Sequence, residues 1–172
     1  EQLQSFCELL QRYVPTRRYF NGGIIDSVYH FTVEVKELIA HSLEDIPFVA
    51  KEVLEQLGNR KVLAFYAEMG SGKTTLITAI LRAMGIEHPE GSPTYSLVNS
   101  YESAYYGEVL HFDVYRLNSV EEALDAGVEE MLYSGAYCLV EWAEIIEPLL
   151  PDDLMKVGIQ VTEGGERLVQ ID

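Results

Sequence analysis

The sequence predicts an α/β fold: a mostly parallel sheet flanked by helices, with an antiparallel hairpin at the C-terminal end. Three observations predict it. Apolar runs of strand length alternate with segments whose apolar residues recur at helical spacing. Two runs, 62–66 and 137–141, are apolar almost throughout, as strands covered on both faces are. The last stretch reads as strand, then Glu163-Gly164-Gly165-Glu166, then strand, which is a hairpin signal.

In chain order, Leu3, Phe6, Leu9, Leu10 and Tyr13 suggest a short amphipathic helix closed by Pro15. Residues 1–30 read as an N-terminal extension, and 31–172 as the main domain. Phe31, Val33 and Val35 alternate as a strand would. Ser42 opens a helix, with Asp45 standing in the place of the capping-box acid. Ile46, Val49, Ala50, Val53, Leu54 and Leu57 follow at helical spacing up to Gly58. A buried strand at 62–66 leads into a glycine-rich turn. Leu76, Ile77, Ile80, Leu81 and Met84 then mark a second helix that ends at Gly85. The polar segment 86–95 is a loop. Strands are expected at 95–101 and 108–113, a helix capped by Ser119 and Glu122 at 120–126, and strands at 137–141, 154–161 and 168–171.

Composition bounds the function. The chain has 172 residues, of which 48% are hydrophobic and 23% charged, which excludes a disordered or fibrous chain. The net charge is −16. In 1–30, Glu1, Glu8 and Asp26 balance Arg12, Arg17 and Arg18, so the whole excess lies in 31–172. Such a surface disfavours direct grip on tRNA, DNA or anionic lipid, which rests on Lys and Arg. The two cysteines, Cys7 and Cys138, make neither a disulfide framework nor a four-ligand zinc site. Cys138 sits in an apolar run and reads as a core residue. No stretch has the length of a membrane span, and the visible start carries no signal peptide, so a reduced cytoplasmic location is expected.

The chemistry concentrates in Ala67-Glu68-Met69-Gly70-Ser71-Gly72-Lys73-Thr74-Thr75, between a buried strand and an amphipathic helix. That is the context of a P-loop. Gly70 and Gly72 leave backbone amides bare for a phosphate chain, and the helix that starts near Lys73 turns its free N–H groups and positive dipole end toward the anion. Lys73 is placed to meet the β- and γ-phosphates, and Thr74 to offer its hydroxyl to Mg²⁺. The pattern G-x-x-x-x-G-K-[ST] has Ala67 in place of its first glycine, which requires an ordinary negative φ there. The fold class is then that of a P-loop NTPase.

Asp113 and Glu141 each end an apolar strand. Ligands in open parallel sheets bind outside the carboxyl ends of strands, where acids hold Mg²⁺ or orient water. Alone, either acid reads as a solvated strand end; with a P-loop upstream, both read as site residues. Trp142 is open to two readings, a pocket wall or a packing residue. Arg116 is read as an ion-pair partner before a phosphate ligand, and His111 as a packed strand residue with no metal role.

These residues resemble the bacterial tRNA threonylcarbamoyladenosine biosynthesis ATPase family (TsaE, also written YjeE), over about 31–171. The likeness is carried by Gly70-Ser71-Gly72-Lys73-Thr74-Thr75, Ser92-Pro93-Thr94-Tyr95-Ser96-Leu97-Val98, His111-Phe112-Asp113-Val114-Tyr115-Arg116-Leu117 and Val140-Glu141-Trp142-Ala143-Glu144. The resemblance implies an Mg²⁺-dependent ATPase, weak alone and stimulated by TsaB- and TsaD-type partner proteins. With them it would support turnover of the threonylcarbamoyl transferase that modifies adenosine 37 of tRNA, so tRNA would be met only indirectly. By motif, Thr94 becomes the switch-type threonine near the γ-phosphate, Asp113 the acid of hydrolysis, Glu141 the magnesium-associated acid and Trp142 the pocket aromatic. Loop 87–94 becomes a segment that orders on nucleotide binding.

Two other functions fit a P-loop. A small-molecule P-loop kinase needs arginines in a lid, and after the P-loop only Arg82, Arg116 and Arg167 remain, scattered. A nucleotide-gated binding module with little turnover shares every motif and is separated only by assay.

Overall fold

The structure, a computed structural model, describes residues 35–93 and 96–172. The extension 1–30, most of the alternating Phe31-to-Val35 run, and Thr94 lie outside the described residues. Among the described residues seven strands are formed: β1 (Lys36–Ala40), β2 (Val62–Ala67), β3 (Val98–Ser103), β4 (Gly107–Asp113), β5 (Tyr137–Glu141), β6 (Met155–Val161) and β7 (Arg167–Ile171). The described residues also form four α-helices: α1 (Ile46–Leu57), α2 (Lys73–Ala83), α3 (Val120–Asp125) and α4 (Val128–Leu132). Two 3₁₀ segments, Leu43–Asp45 and Ala143–Leu149, complete the described elements.

One sheet runs in the order β1-β7-β6-β2-β5-β4-β3. Its centre is parallel: β2 pairs with β6 and β5, and β5 with β4. Its edges are antiparallel. β7 folds back on β6 and carries β1, while β3 and β4 form a second hairpin at the other edge. The expected α/β sheet with a C-terminal hairpin is therefore present, and the β3–β4 hairpin adds antiparallel pairing at the far edge.

The elements differ from the sequence expectation in instructive places. Of the alternating Phe31, Val33 and Val35 only Val35 is among the described residues; the first described strand is Lys36–Ala40, in register with β7. Ser42 caps a 3₁₀ turn: its hydroxyl accepts from Glu44 N at 3.2 Å, and Asp45 accepts from Ser42 N at 3.0 Å. The α-helix starts at Ile46 with Pro47 in its first turn, where a missing N–H costs nothing. Gly127 looks like a helix stop, but the chain re-enters a short helix directly after it. Ala143–Leu149 was not expected as helical; Pro148 and a break at Ile146 keep it irregular.

The core lies between the sheet and the α1–α2 pair. Leu63, Phe65, Leu139 and Val157 from the sheet meet Val49, Val53, Ile77 and Ile80 from the helices, all fully buried. The opposite face buries Val62, Ala64, Phe112, Cys138 and Val140. Lys61 lies over the Tyr137 ring at 3.7 Å, closing the start of β5. Among the described residues no helix is long and apolar enough to cross a membrane.

Truncating Ile77 to alanine removes a side chain that is 0% exposed at the centre of this core. The expected cost is about 2–5 kcal/mol, read as a lowered midpoint in urea unfolding. Burial pushes the Cys138 thiol up to about 12, so it is protonated at neutral pH. In a Cys7→Ser background, iodoacetamide at pH 8 is expected to label Cys138 only at the rate of unfolding. Prompt labelling of folded protein would contradict that.

Candidate active site

β2, β4 and β5 are parallel neighbours, so their carboxyl ends lie side by side. Asp113 is in register with Glu141, and Glu141 with Phe65 of β2. The turn 67–72 leaves β2 at that same end and enters α2. Its shape depends on two glycines in the left-handed region, Gly70 (φ 79°) and Gly72 (φ 103°), the latter capping α2. Ala67 needs no such conformation, since Trp142 is the one non-glycine with positive φ among the described residues. The methyl that replaces the pattern's first glycine is therefore tolerated.

The first turn of α2 presents N–H groups that have no partner within the helix. Around them lies a cleft of about 390 Å³ lined by Met69, Gly70, Ser71, Gly72, Lys73, Thr74, Thr75, Asp113, Tyr115, Glu141 and Trp142. The structure thus brings together every described residue that the sequence assigned to the site, and adds Tyr115. Thr94 falls outside the described residues.

Lys73 is 5% exposed. Its ammonium donates to the carbonyls of Ala67 (2.5 Å) and Glu68 (3.0 Å) and sits 3.8 Å from the centre of the Trp142 ring. Burial lowers its pKa, while the carboxylates of Glu141, Glu144 and Asp113 act in the opposite sense. Trp142 holds the left-handed conformation at φ 63°, which costs a bulky residue about 1–2 kcal/mol. That backbone turn sets the indole beneath Lys73 and against Tyr115, with ring centres 4.8 Å apart.

Glu141 is 2% exposed and fully engaged. The Thr74 hydroxyl lies 2.9 and 3.1 Å from its two oxygens, and His111 Nε2 is 2.9 Å from Oε1. Asp113 accepts from the Tyr115 amide at 3.1 Å and from the Ser92 hydroxyl, which ties the loop before β3 to the end of β4. Two of these partners, His111 and Ser92, were not read as site residues. Strand alternation was the available signal for the first, because His111 shares a face with Asp113. Arg116 is exposed and forms no ion pair with a described residue, contrary to the expectation for it.

A second cavity, about 260 Å³, opens on the other side of the same turn. It shares Ser71, Gly72 and Thr75 with the cleft and is walled by Leu43, Ile46, Leu76, Ile159, Val169 and Arg167. The Ser71 hydroxyl, between the two, is buried without a hydrogen-bond partner.

A family model described as threonylcarbamoyl adenosine biosynthesis protein TsaE matches residues 40–169. A protein of Rickettsia felis named tRNA threonylcarbamoyladenosine biosynthesis protein TsaE is 33% identical over 135 residues, covering 78% of each chain. A Haemophilus influenzae protein of the same name is 36% identical over 120 residues, covering 68% of this chain and 75% of its own. The crystal structure of Bacillus subtilis YdiB superposes with a TM-score of 0.61 at 24% identity, over 80% of this chain and 84% of that one, so the fold is shared.

A Cβ added to Gly72 meets nothing within 4 Å, so the objection to a side chain there is the backbone angle alone. Gly72→Ala is expected to lower stability by about 1–2 kcal/mol in urea unfolding. An unchanged midpoint would mean that the turn relaxes to a negative φ.

Proposed function

The chain belongs to the TsaE family, and on that premise we propose that it is the ATP-binding and ATP-hydrolysing subunit of the machinery that forms threonylcarbamoyladenosine at position 37 of tRNA. Residues 31–172 are the ATPase domain, working in the cytoplasm beside TsaB- and TsaD-type proteins. ATP hydrolysis supports turnover of the threonylcarbamoyl transferase. The net charge of −16 supports this division of labour, since an acidic subunit is suited to docking on a protein and leaving tRNA to it.

The observation that carries the reading is the convergence of the Gly70-to-Thr75 turn, Lys73, Thr74, Asp113 and Glu141 on one cleft. Amides of the turn and the first turn of α2 wrap the phosphates. Lys73 exchanges its carbonyl partners for the β- and γ-phosphates. The second cavity, continuous with the same turn and walled by apolar side chains, takes the ribose and base.

The donors also fit magnesium. Thr74, Glu141 and Asp113 supply hard oxygens, and Mg²⁺ is ordinarily held by one or two carboxylates plus substrate phosphates. Bound there, the ion would neutralise charge on the phosphates during transfer. Because Thr74 donates its proton to Glu141, its oxygen lone pairs stay available to a cation. Asp113 orients the attacking water or holds the ion at one remove. Trp142 keeps Lys73 in place and walls the pocket. Thr94 reports the γ-phosphate to loop 87–94.

Lys73→Ala is expected to abolish hydrolysis and to weaken ATP binding at least about ten-fold in calorimetry. Wild-type hydrolysis should be slow alone and rise when the two partner proteins are added. Brisk turnover in isolation with phosphate passed to a metabolite would favour a kinase. Saturable ATP binding with no turnover under any of these conditions would favour a binding module.

A further inference from the structure

We propose that His111 is a positioning residue for Glu141, holding the carboxylate in the orientation in which it meets the magnesium ion of the proposed ATPase site. The inference rests on that reading of the cleft and adds a residue to it.

His111 lies on β4, two residues before Asp113 and on the same face of the sheet. It is 0% exposed, and its Nε2 stands 2.9 Å from Glu141 Oε1 on the neighbouring strand. Its Nδ1 has no hydrogen-bond partner. An ionised carboxylate only accepts, so the nitrogen that faces it must carry the proton. The Nε2–H tautomer meets that demand and leaves the bare nitrogen, the cheaper group to orphan, at Nδ1.

Glu141 is thereby held from two sides. Thr74 donates from the first turn of α2, and His111 donates from β4. Thr74 is itself a cation ligand in the proposed site, so its hold on Glu141 is open to change when the ion arrives. His111 points from the sheet interior and competes for nothing in the cleft: it is absent from the cleft lining. It is therefore the fixed member of the pair. Partners of this kind, one step back from a metal, set the orientation of the ligating carboxylate, and their loss commonly costs about 10–100-fold in metal affinity or activity.

The test compares His111→Leu, which fills the space without a donor, with His111→Gln, whose amide N–H reaches about as far as Nε2–H. A non-hydrolysable ATP analogue is titrated into the full chain by calorimetry, in EDTA and across a magnesium series. In His111→Leu the half-saturating magnesium concentration should rise about ten-fold while affinity in EDTA stays within about two-fold, and His111→Gln should recover most of the difference. A folded His111→Leu with wild-type magnesium dependence would overturn the proposal. So would a His111→Gln as impaired as His111→Leu, because packing and not the donor would then matter. Ring ¹⁵N NMR of the nucleotide-free wild type reads the tautomer independently of any variant: a proton on Nε2 supports the proposal, and one on Nδ1 alone overturns it. A wild type that binds no analogue, or binds it equally with and without magnesium, brings down the ATPase reading and this inference together. A failure confined to the His111 variants leaves the ATPase reading standing.

Discussion

A carboxylate buried to 2% exposure, Glu141, is the constraint around which the site is organised. Taking such a group out of water costs several kcal/mol unless donors replace the lost hydration. Here the replacements come from two different elements, Thr74 of α2 and His111 of β4. One desolvated acid therefore joins the helix that follows the glycine-rich turn to the central strands. The placement of α2 over the sheet and the geometry of the cleft are set by the same contacts.

Left-handed backbone recurs on two sides of the cleft, in the glycine-rich turn and after β5. Gly70 and Gly72 take left-handed angles at little cost, whereas Trp142 takes one at real cost. The return is the position of its indole, which faces the Lys73 ammonium at 3.8 Å and packs at a tilt against Tyr115. Lys73 is thus satisfied before any ligand arrives, by two carbonyls and an aromatic face. A buried ammonium whose direct partners are uncharged keeps its positive charge for an incoming anion. Under the proposed function, phosphate oxygens take over from the Ala67 and Glu68 carbonyls.

The cleft also carries more negative than positive charge, with Asp113 and Glu141 facing the single lysine. Under the proposed function a triphosphate would meet repulsion there without a divalent cation, and the same acids would serve as that cation's partners. Ser92 on Asp113 engages one of these acids from the loop before β3.

By itself the sequence determined the elements and the chemistry of single segments. Helical period marked α1 and α2, and unbroken apolar runs marked β2, β4 and β5, because burial leaves its pattern within a segment. The Gly70-Ser71-Gly72-Lys73-Thr74 run marked the turn between β2 and α2, because left-handed backbone is demanded of residues close together in sequence. Segments without such a pattern were less legible: Val128–Leu132 follows a glycine that reads as a stop, and Ala143–Leu149 contains Pro148. Tertiary structure alone decided strand order, the antiparallel pairing of β3 with β4, the left-handed turn at Trp142, and the pairing of His111 with Glu141 across strands 30 residues apart. Those features depend on which strands become neighbours and in what register, and period within a segment carries no information about its neighbour.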